Sequence, residues 1–346
     1  MESLAPPPPR PSAASSARPA RTDDDTWDIT ESVGATALSV ARARAAESNS
    51  ASPLFTDPYA EFFMQAAVQA GWQPPLAAET LAEFSTDPAV LRRVQTMAAY
   101  IAARTRFFDE FFTTAGANGL EQVVILAAGL DTRAWRLPWI SGTSVYELDQ
   151  PKVLAFKAQV LDEHHTRPAV RYRPVPVDLR HDWPEALRAK GFDPSVPTAW
   201  LAEGLLPYLS AADQDLLFDR IDGLSATSSR LAVEAFGPEF FDPELLARRR
   251  QQIQTMRDAA TARGVTVPDI EALWYLEPRA DVEQWLQEQG WEVSAVGSED
   301  LMARYQRPAP EDAEDVAPQS VFVEAVKSGI VDSTTPPRPA GTPPSP

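Results

Sequence analysis

Apolar residues follow two rhythms along this chain. Over residues 22–115 they recur at helical spacing. An Ala-rich stretch carrying Arg42 and Arg44 predicts a helix over 30–47. After the turn LFTDPY, Asp57 is placed to cap a second helix over 58–69, with Pro58 at its first position. A third helix is predicted over 90–112, where Val94, Met97, Ala98, Ile101 and Phe108 fall at three- and four-residue steps. Gly116 and Gly119 are expected to end it.

From residue 121 the rhythm changes. Val123-Val124-Ile125-Leu126 is an unbroken apolar run, the mark of a strand buried on both faces. Further strands are predicted over 143–146, 170–177, 198–202 and 230–234. Helical stretches over 151–164, 184–190 and 211–224 separate them, the last with Ser210 as N-cap and Asp213 three residues on. Strand and helix in alternation imply a mostly parallel sheet with helices on both faces. The end departs from this pattern, with a helix over 281–289 and strands over 291–293 and 321–326. No internal repeat is visible.

Composition sharpens the boundaries. Of 33 prolines among 346 residues, six fall in 1–21 and six in 332–346. Neither end has apolar periodicity to bury, so both read as disordered Pro-rich tails around one domain over 22–331, with a helical cap over 22–115 and an α/β core over 116–331. The net charge is −18; the tails carry +2, which leaves −20 on the body. A body this acidic repels a phosphate backbone, so nucleic acid is not expected as a partner. The chain has no Cys and three His (His164, His165 and His181), which excludes disulfides, thiolate metal sites and a His-rich centre. The adjacent pair His164-His165 points apart on a helix and reads as surface. No metal is expected. No apolar run is long enough for a membrane span, and the N-terminus lacks the apolar region of a signal peptide, so a cytoplasmic protein is expected. No pattern specifies an oligomer.

Candidate chemistry lies at the predicted strand ends. The first strand runs into Ala127-Ala128-Gly129-Leu130-Asp131, a small-residue turn that lets a ligand approach the backbone. It is not GxGxxG, and Asp131 would oppose a pyrophosphate there; the ordinary alternative makes Asp131 a helix cap. Glu147 and Asp149 follow 18 and 20 residues after Gly129. A carboxylate there can accept both hydroxyls of a ribose, and two residues apart in a strand the pair share a face. Either acid can instead cap the helix after Pro151. Asp178 and Leu179 end the third strand over the same crevice, suited to an adenine amino group and ring, or else to a local turn. Glu203 leaves an apolar strand into Gly204 and is too costly to bury without a cation or a cleft. Arg104 can fork onto a ligand carboxylate, although periodicity alone makes it a solvated helix residue. No Ser-His-Asp arrangement stands out.

These motifs resemble the leucine carboxyl methyltransferase-like group of class I S-adenosylmethionine (SAM)-dependent methyltransferases, in particular its actinobacterial branch. The matching stretches are 100–112, VILAAGLDTRAWRL (124–137), YELDQP (146–151), VDLRHDW (177–183), AEGLLPYL (202–209) and EPRADVEQWLQEQGW (277–291). The likeness spans about residues 25–328. It implies a Rossmann-like α/β fold: a seven-stranded, mostly parallel sheet with an antiparallel last strand and a helical N-terminal cap. It also implies roles. Asp149 holds the ribose with Glu147 beside it. Asp178 and Leu179 hold the adenine, and the turn Ala127, Ala128, Gly129 approaches the methionine part. Arg104 binds the methionine carboxylate, and Glu203 lies near the ammonium or sulfonium. The family usually has Gly where this chain has Ala127, so a positive φ there would strain the turn. Pro207 stands where the family often has a larger apolar residue, which would reshape the substrate side.

SAM carries a sulfonium, an ammonium, a carboxylate and a ribose but no phosphate, and four acids with one Arg around a small-residue turn match that pattern. O-methylation of a small-molecule carboxylate or hydroxyl is the resulting expectation. A carboxylate is ionised at pH 7 and needs no base; a hydroxyl would want one, with Tyr208 or Glu203 as catalytic candidates. The competing readings are a nicotinamide-dependent oxidoreductase on the same sheet type and a non-catalytic SAM-binding scaffold.

Overall fold

A computed structural model describes residues 32–72, 88–261, 273–309 and 319–329. The expected Pro-rich tails over 1–21 and 332–346 lie outside the described residues. Seven strands form one sheet in the order β3-β2-β1-β4-β5-β7-β6. They are β1 (Gln122–Leu126), β2 (Ser144–Asp149), β3 (Arg171–Pro176), β4 (Thr198–Ala202), β5 (Arg230–Phe236), β6 (Trp291–Gly297) and β7 (Ser320–Lys327). β1 to β5 pair in parallel, and β7 runs antiparallel between β5 and β6. This is the expected mostly parallel sheet with an antiparallel last strand.

The unbroken apolar runs are buried on both faces because each face has its own core. Val123, Ile125, Ala199, Leu201 and Ala232 pack into one cluster with Leu38, Phe63 and Phe108 of the N-terminal helices. Val124, Leu126, Trp200, Leu231 and Val233 pack into the other. The N-terminal helices are α1 (Ser32–Ser48), α2 (Ala60–Gln69) and α3 (Pro88–Ala117). Then come α4 (Arg133–Arg136), α5 (Pro151–Glu163), α6 (Trp183–Ala189), α7 (Ala211–Gly223), α8 (Pro243–Thr261), α9 (Val282–Glu288) and α10 (Ser298–Arg304). No helix among the described residues is long and apolar enough to cross a membrane.

Local signals act largely as read. Ser210 accepts from the Asp213 amide at 3.1 Å and caps α7. Gly119, at φ +81°, closes α3: its amide bonds Gly116 O at 2.8 Å while Leu120 bonds Ala115 O at 3.1 Å. One boundary differs: the regular helix starts at Ala60, so Pro58 lies in the turn before it. Asp57 caps that entrance as expected, accepting from the amides of Tyr59 (3.1 Å) and Ala60 (3.2 Å), and it also pairs with Arg44 at 3.1 Å and receives the Thr132 hydroxyl at 2.8 Å. The second strand extends three residues beyond its predicted end, through Asp149, and so carries both candidate acids.

Candidate functional site

A cavity of about 410 Å³ lies at the C-terminal ends of the parallel strands. Its floor is the turn after β1, and α1 and α3 supply one side through residues that include Ala37 and Arg104. Of the predicted site residues, Arg104, Ala127, Ala128, Gly129, Asp149, Asp178, Leu179, Glu203 and Tyr208 all line it. Glu147 does not.

The turn is shaped by backbone conformation. Ala127 sits at φ +49° and Gly129 at φ +51°, both left-handed. The Gly129 amide donates to Asp149 Oδ2 at 2.6 Å, and Gln150 N donates to Oδ1 at 2.7 Å. Burial pushes the Asp149 carboxyl up, against the pull of these two amides. The left-handed φ at Ala127 is the conformation for which a glycine is the unstrained choice.

Glu147 and Asp149 share strand parity but not surroundings. Asp149 stands at the end of β2, whereas Glu147 lies two residues deeper and is fully buried. Its carboxylate meets Lys157 of α5 at 2.5 Å and accepts the Tyr172 hydroxyl at 2.7 Å. Burial raises it to about 7, with Asp131 adding to the rise and Lys157 and Tyr172 opposing it. The assignment of Glu147 beside the ribose is therefore corrected: it supports β2 from within the protein. Lys157 was missed, although a Lys four residues after Val153 and three before Val160 on an apolar helix face signals a buried partner.

Asp178 lines the cavity and also forms its own turn. It accepts from Arg180 through the amide (2.9 Å), Nε (3.0 Å) and Nη2 (2.6 Å). Burial alone would raise its carboxyl, but these contacts outweigh burial and lower it.

At the other end Arg104 is buried, not solvated as periodicity suggested. Its Nε lies 3.0 Å from Glu203 Oε1, and its Nη1 donates to Glu234 Oε2 at 2.9 Å. Glu234 also accepts from the Gly204 amide at 2.8 Å and from the Tyr100 hydroxyl. Glu234 and Tyr100 both line the cavity and were missed. The signal for Glu234 was the one that exposed Glu203, an acid inside the apolar strand RLAVEAF. A second arginine, Arg133, joins the far side of Glu203 at 2.8 Å to Asp131 at 2.5 Å and Asp109 at 2.7 Å. Burial would raise Asp131, but Arg133, Lys157 and Arg44 hold it at about 2. Asp131 thus serves both as an ion-pair partner and as a cap: its Oδ1 accepts from the Arg133 amide at 2.6 Å at the start of α4, which has only four residues.

His164 stacks on Phe62 with ring centroids 3.7 Å apart. Among the described residues no group of His, Cys, Asp or Glu is arranged to hold a metal.

The family model for leucine carboxyl methyltransferase matches residues 37–222. A protein of Mycobacterium avium (strain 104) named "Putative S-adenosyl-L-methionine-dependent methyltransferase" is 53% identical over 313 residues, covering 88% of this chain and 98% of its own. A relative of the same name from Mycobacterium tuberculosis (strain ATCC 25177 / H37Ra) is 51% identical over 310 residues, covering 89% and 99%. Among solved structures, a DUF574 family protein from Streptomyces avermitilis aligns at 15% identity and a TM-score of 0.42, over 83% of this chain and 96% of that one. With the family match spanning more than half of its length and relatives at about half identity along nearly all of theirs, the chain belongs to the leucine carboxyl methyltransferase family.

Proposed function

We propose that this chain is a SAM-dependent O-methyltransferase acting on a small molecule, with a carboxylate as the favoured acceptor. The observation that carries the reading is the donor set along one cavity. Asp149 stands at the β2 end, Asp178 and Leu179 beside it, the left-handed turn Ala127–Gly129 below, and Arg104 with Glu203 and Glu234 beyond. That order suits a ribose, an adenine and an amino-acid end.

When bound, SAM supplies an electrophilic methyl group on a sulfonium. The chain's own part is positioning. Asp149, already anchored by two backbone amides, offers its remaining lone pairs to the ribose hydroxyls. Leu179 lines the base. Glu203 and Glu234 place negative charge where the ammonium and sulfonium would lie, and Arg104 between them serves the methionine carboxylate. Orientation in a closed site is sufficient for an in-line displacement.

The acceptor preference follows from what those acids already touch. Arg133 donates to Glu203, which also pairs with Arg104, while Arg104, Gly204 N and Tyr100 donate to Glu234. Carboxylates so engaged are poorly placed to take a proton. An acceptor ionised before it binds needs no such base. For a hydroxyl acceptor, Tyr208 on the cavity wall is the remaining candidate.

The rival nicotinamide reading meets a specific obstacle. A pyrophosphate needs the N-terminus of a helix after β1. Here that helix has four residues, and Asp131 stands at its entrance. Calorimetric titration separates these readings: SAM and S-adenosylhomocysteine are expected to bind and NAD is not. Absence of heat with both sulfur ligands would overturn the proposal.

A further inference from the structure

Beyond Glu234 the cavity changes character. Its wall is built from Pro207 and Tyr208 in the short turn after β4, from Phe236 and Phe240 at the end of β5, from Trp274, and from Met97 of α3. None of these six side chains carries a formal charge, although Arg93, one turn before Met97 on α3, also lines the cavity. The rings pack together: Phe236 and Phe240 have centroids 4.2 Å apart at 45°, and Phe240 and Trp274 lie 6.3 Å apart.

Behind this wall, and not lining the cavity, stands Arg279 of the EPRAD stretch. Its guanidinium carbon lies 4.9 Å from the Phe236 ring centroid and 5.8 Å from that of Phe241. Its Nη1 donates to Leu206 O at 2.8 Å and its Nη2 to Tyr275 O at 2.7 Å. The Tyr275 amide in turn donates to Pro207 O at 2.8 Å. The neighbours of Arg279 lock the same stretch onto α7: Glu277 accepts from Ala211 N at 2.7 Å, and Ala280 O accepts from Gln214 at 3.0 Å. One guanidinium therefore fastens the turn after β4 to the aromatic turn after β5, the two walls that set the width of this half of the cavity.

We propose that this half receives the flat, apolar, ring-built body of the methyl acceptor, and that Arg279 is the positioning residue that sets its width. The proposal rests on the methyltransferase reading above for the word acceptor; the binding of a flat ring does not. Rings attract a planar π-system in offset or edge-on packing beyond what burial of area gives, and a saturated skeleton of equal size gains only the area.

The test uses the full chain and two probes with one carbon skeleton, 2-naphthoate and decahydronaphthalene-2-carboxylate. Each is titrated calorimetrically with and without saturating S-adenosylhomocysteine. The flat probe is expected to bind about fivefold tighter than the saturated one. Phe240→Leu keeps apolar bulk but removes a ring, and should bring that ratio close to one with S-adenosylhomocysteine affinity within about twofold of the parent. Arg279→Lys keeps the charge but loses the fork. It should lower both naphthoate affinity and the probe ratio severalfold, with S-adenosylhomocysteine again unaffected. A change in ratio is what a purely structural role would not produce. Equal binding of the two probes, or an unchanged ratio in Phe240→Leu, would overturn the flat-ring assignment. Parallel loss of both probes and of S-adenosylhomocysteine in Arg279→Lys would overturn the positioning role. Failure of S-adenosylhomocysteine to bind the parent, with the naphthoate preference intact, would instead count against the methyltransferase reading alone.

Discussion

The Gly129 amide donates to the Asp149 carboxylate at 2.6 Å, and so joins the turn after β1 to the end of β2 across twenty residues. The candidate ribose ligand and the turn expected near the methionine moiety are thus set by one contact. Asp149→Ala should weaken SAM binding by about ten- to a hundredfold, the worth of hydrogen bonds to a charged group. Asp149→Asn keeps an oxygen acceptor and should lose less. Because burial holds the Asp149 carboxyl above the usual range, SAM affinity should start to fall at a higher pH than an exposed Asp would give. Calorimetry across the acid range reads both effects, and unchanged affinity in the Ala variant would refute the ribose assignment.

The buried pair of Glu147 and Lys157 predicts a pH dependence of stability. Glu147 is raised from 4.5 to about 7, so between those values the native state holds a proton that the unfolded state has released. Stability from this group is full below about 4.5 and is lost as pH rises through about 7, with a slope of at most about 1.4 kcal/mol per pH unit. Glu147→Gln lacks the titration. In urea unfolding, its stability relative to the parent should improve from pH 5 to 7 and level off above. Parallel pH profiles would show that Glu147 does not titrate there.

Strain in the cavity floor is testable at a single carbon. Ala127 holds φ +49°, at a cost of about 1 kcal/mol for a residue with a Cβ. Ala127→Gly should recover up to about that amount and raise the melting temperature. Gly204, at φ +63°, provides the opposite control: its added methyl would stand 3.6 Å from Arg104, an ordinary contact, so Gly204→Ala should lose stability through the backbone. A lower melting temperature in Ala127→Gly would show that the turn is not strained.

Arg133 is the structural centre of the ion network, with its side chain 2% exposed among Asp109, Asp131 and Glu203. Arg133→Ala takes from Asp131 its ion-pair partner, while Glu203 keeps Arg104 and Asp109 keeps Arg136; it should cost about 3 kcal/mol in urea unfolding. Added salt should recover little of it, because buried pairs are weakly screened. A loss below about 1 kcal/mol would contradict the network as drawn.

Patterns that act over a few residues were legible in the chain. The run 123–126 and the strand over 198–202 appear where apolar continuity places them, because burial on both faces constrains every position. Ser210 caps its helix because an N-cap needs only its own next turn. The acids at the strand ends announced a site for a related reason: a carboxylate in an apolar run must find a cation or a cleft. Which of the two it finds depends on residues far away in sequence. Glu147 and Asp149 share a face, yet Lys157 and Tyr172 meet only the first, which leaves the second for the cavity. Arg104 looked solvated on its own helix because its partners, Glu203 and Glu234, lie about 100 and 130 residues downstream. Arg279 shows the same limit. Periodicity says which side of an element is apolar, but packing decides what stands opposite, and that contact is where the charges and the aromatic wall acquire their roles.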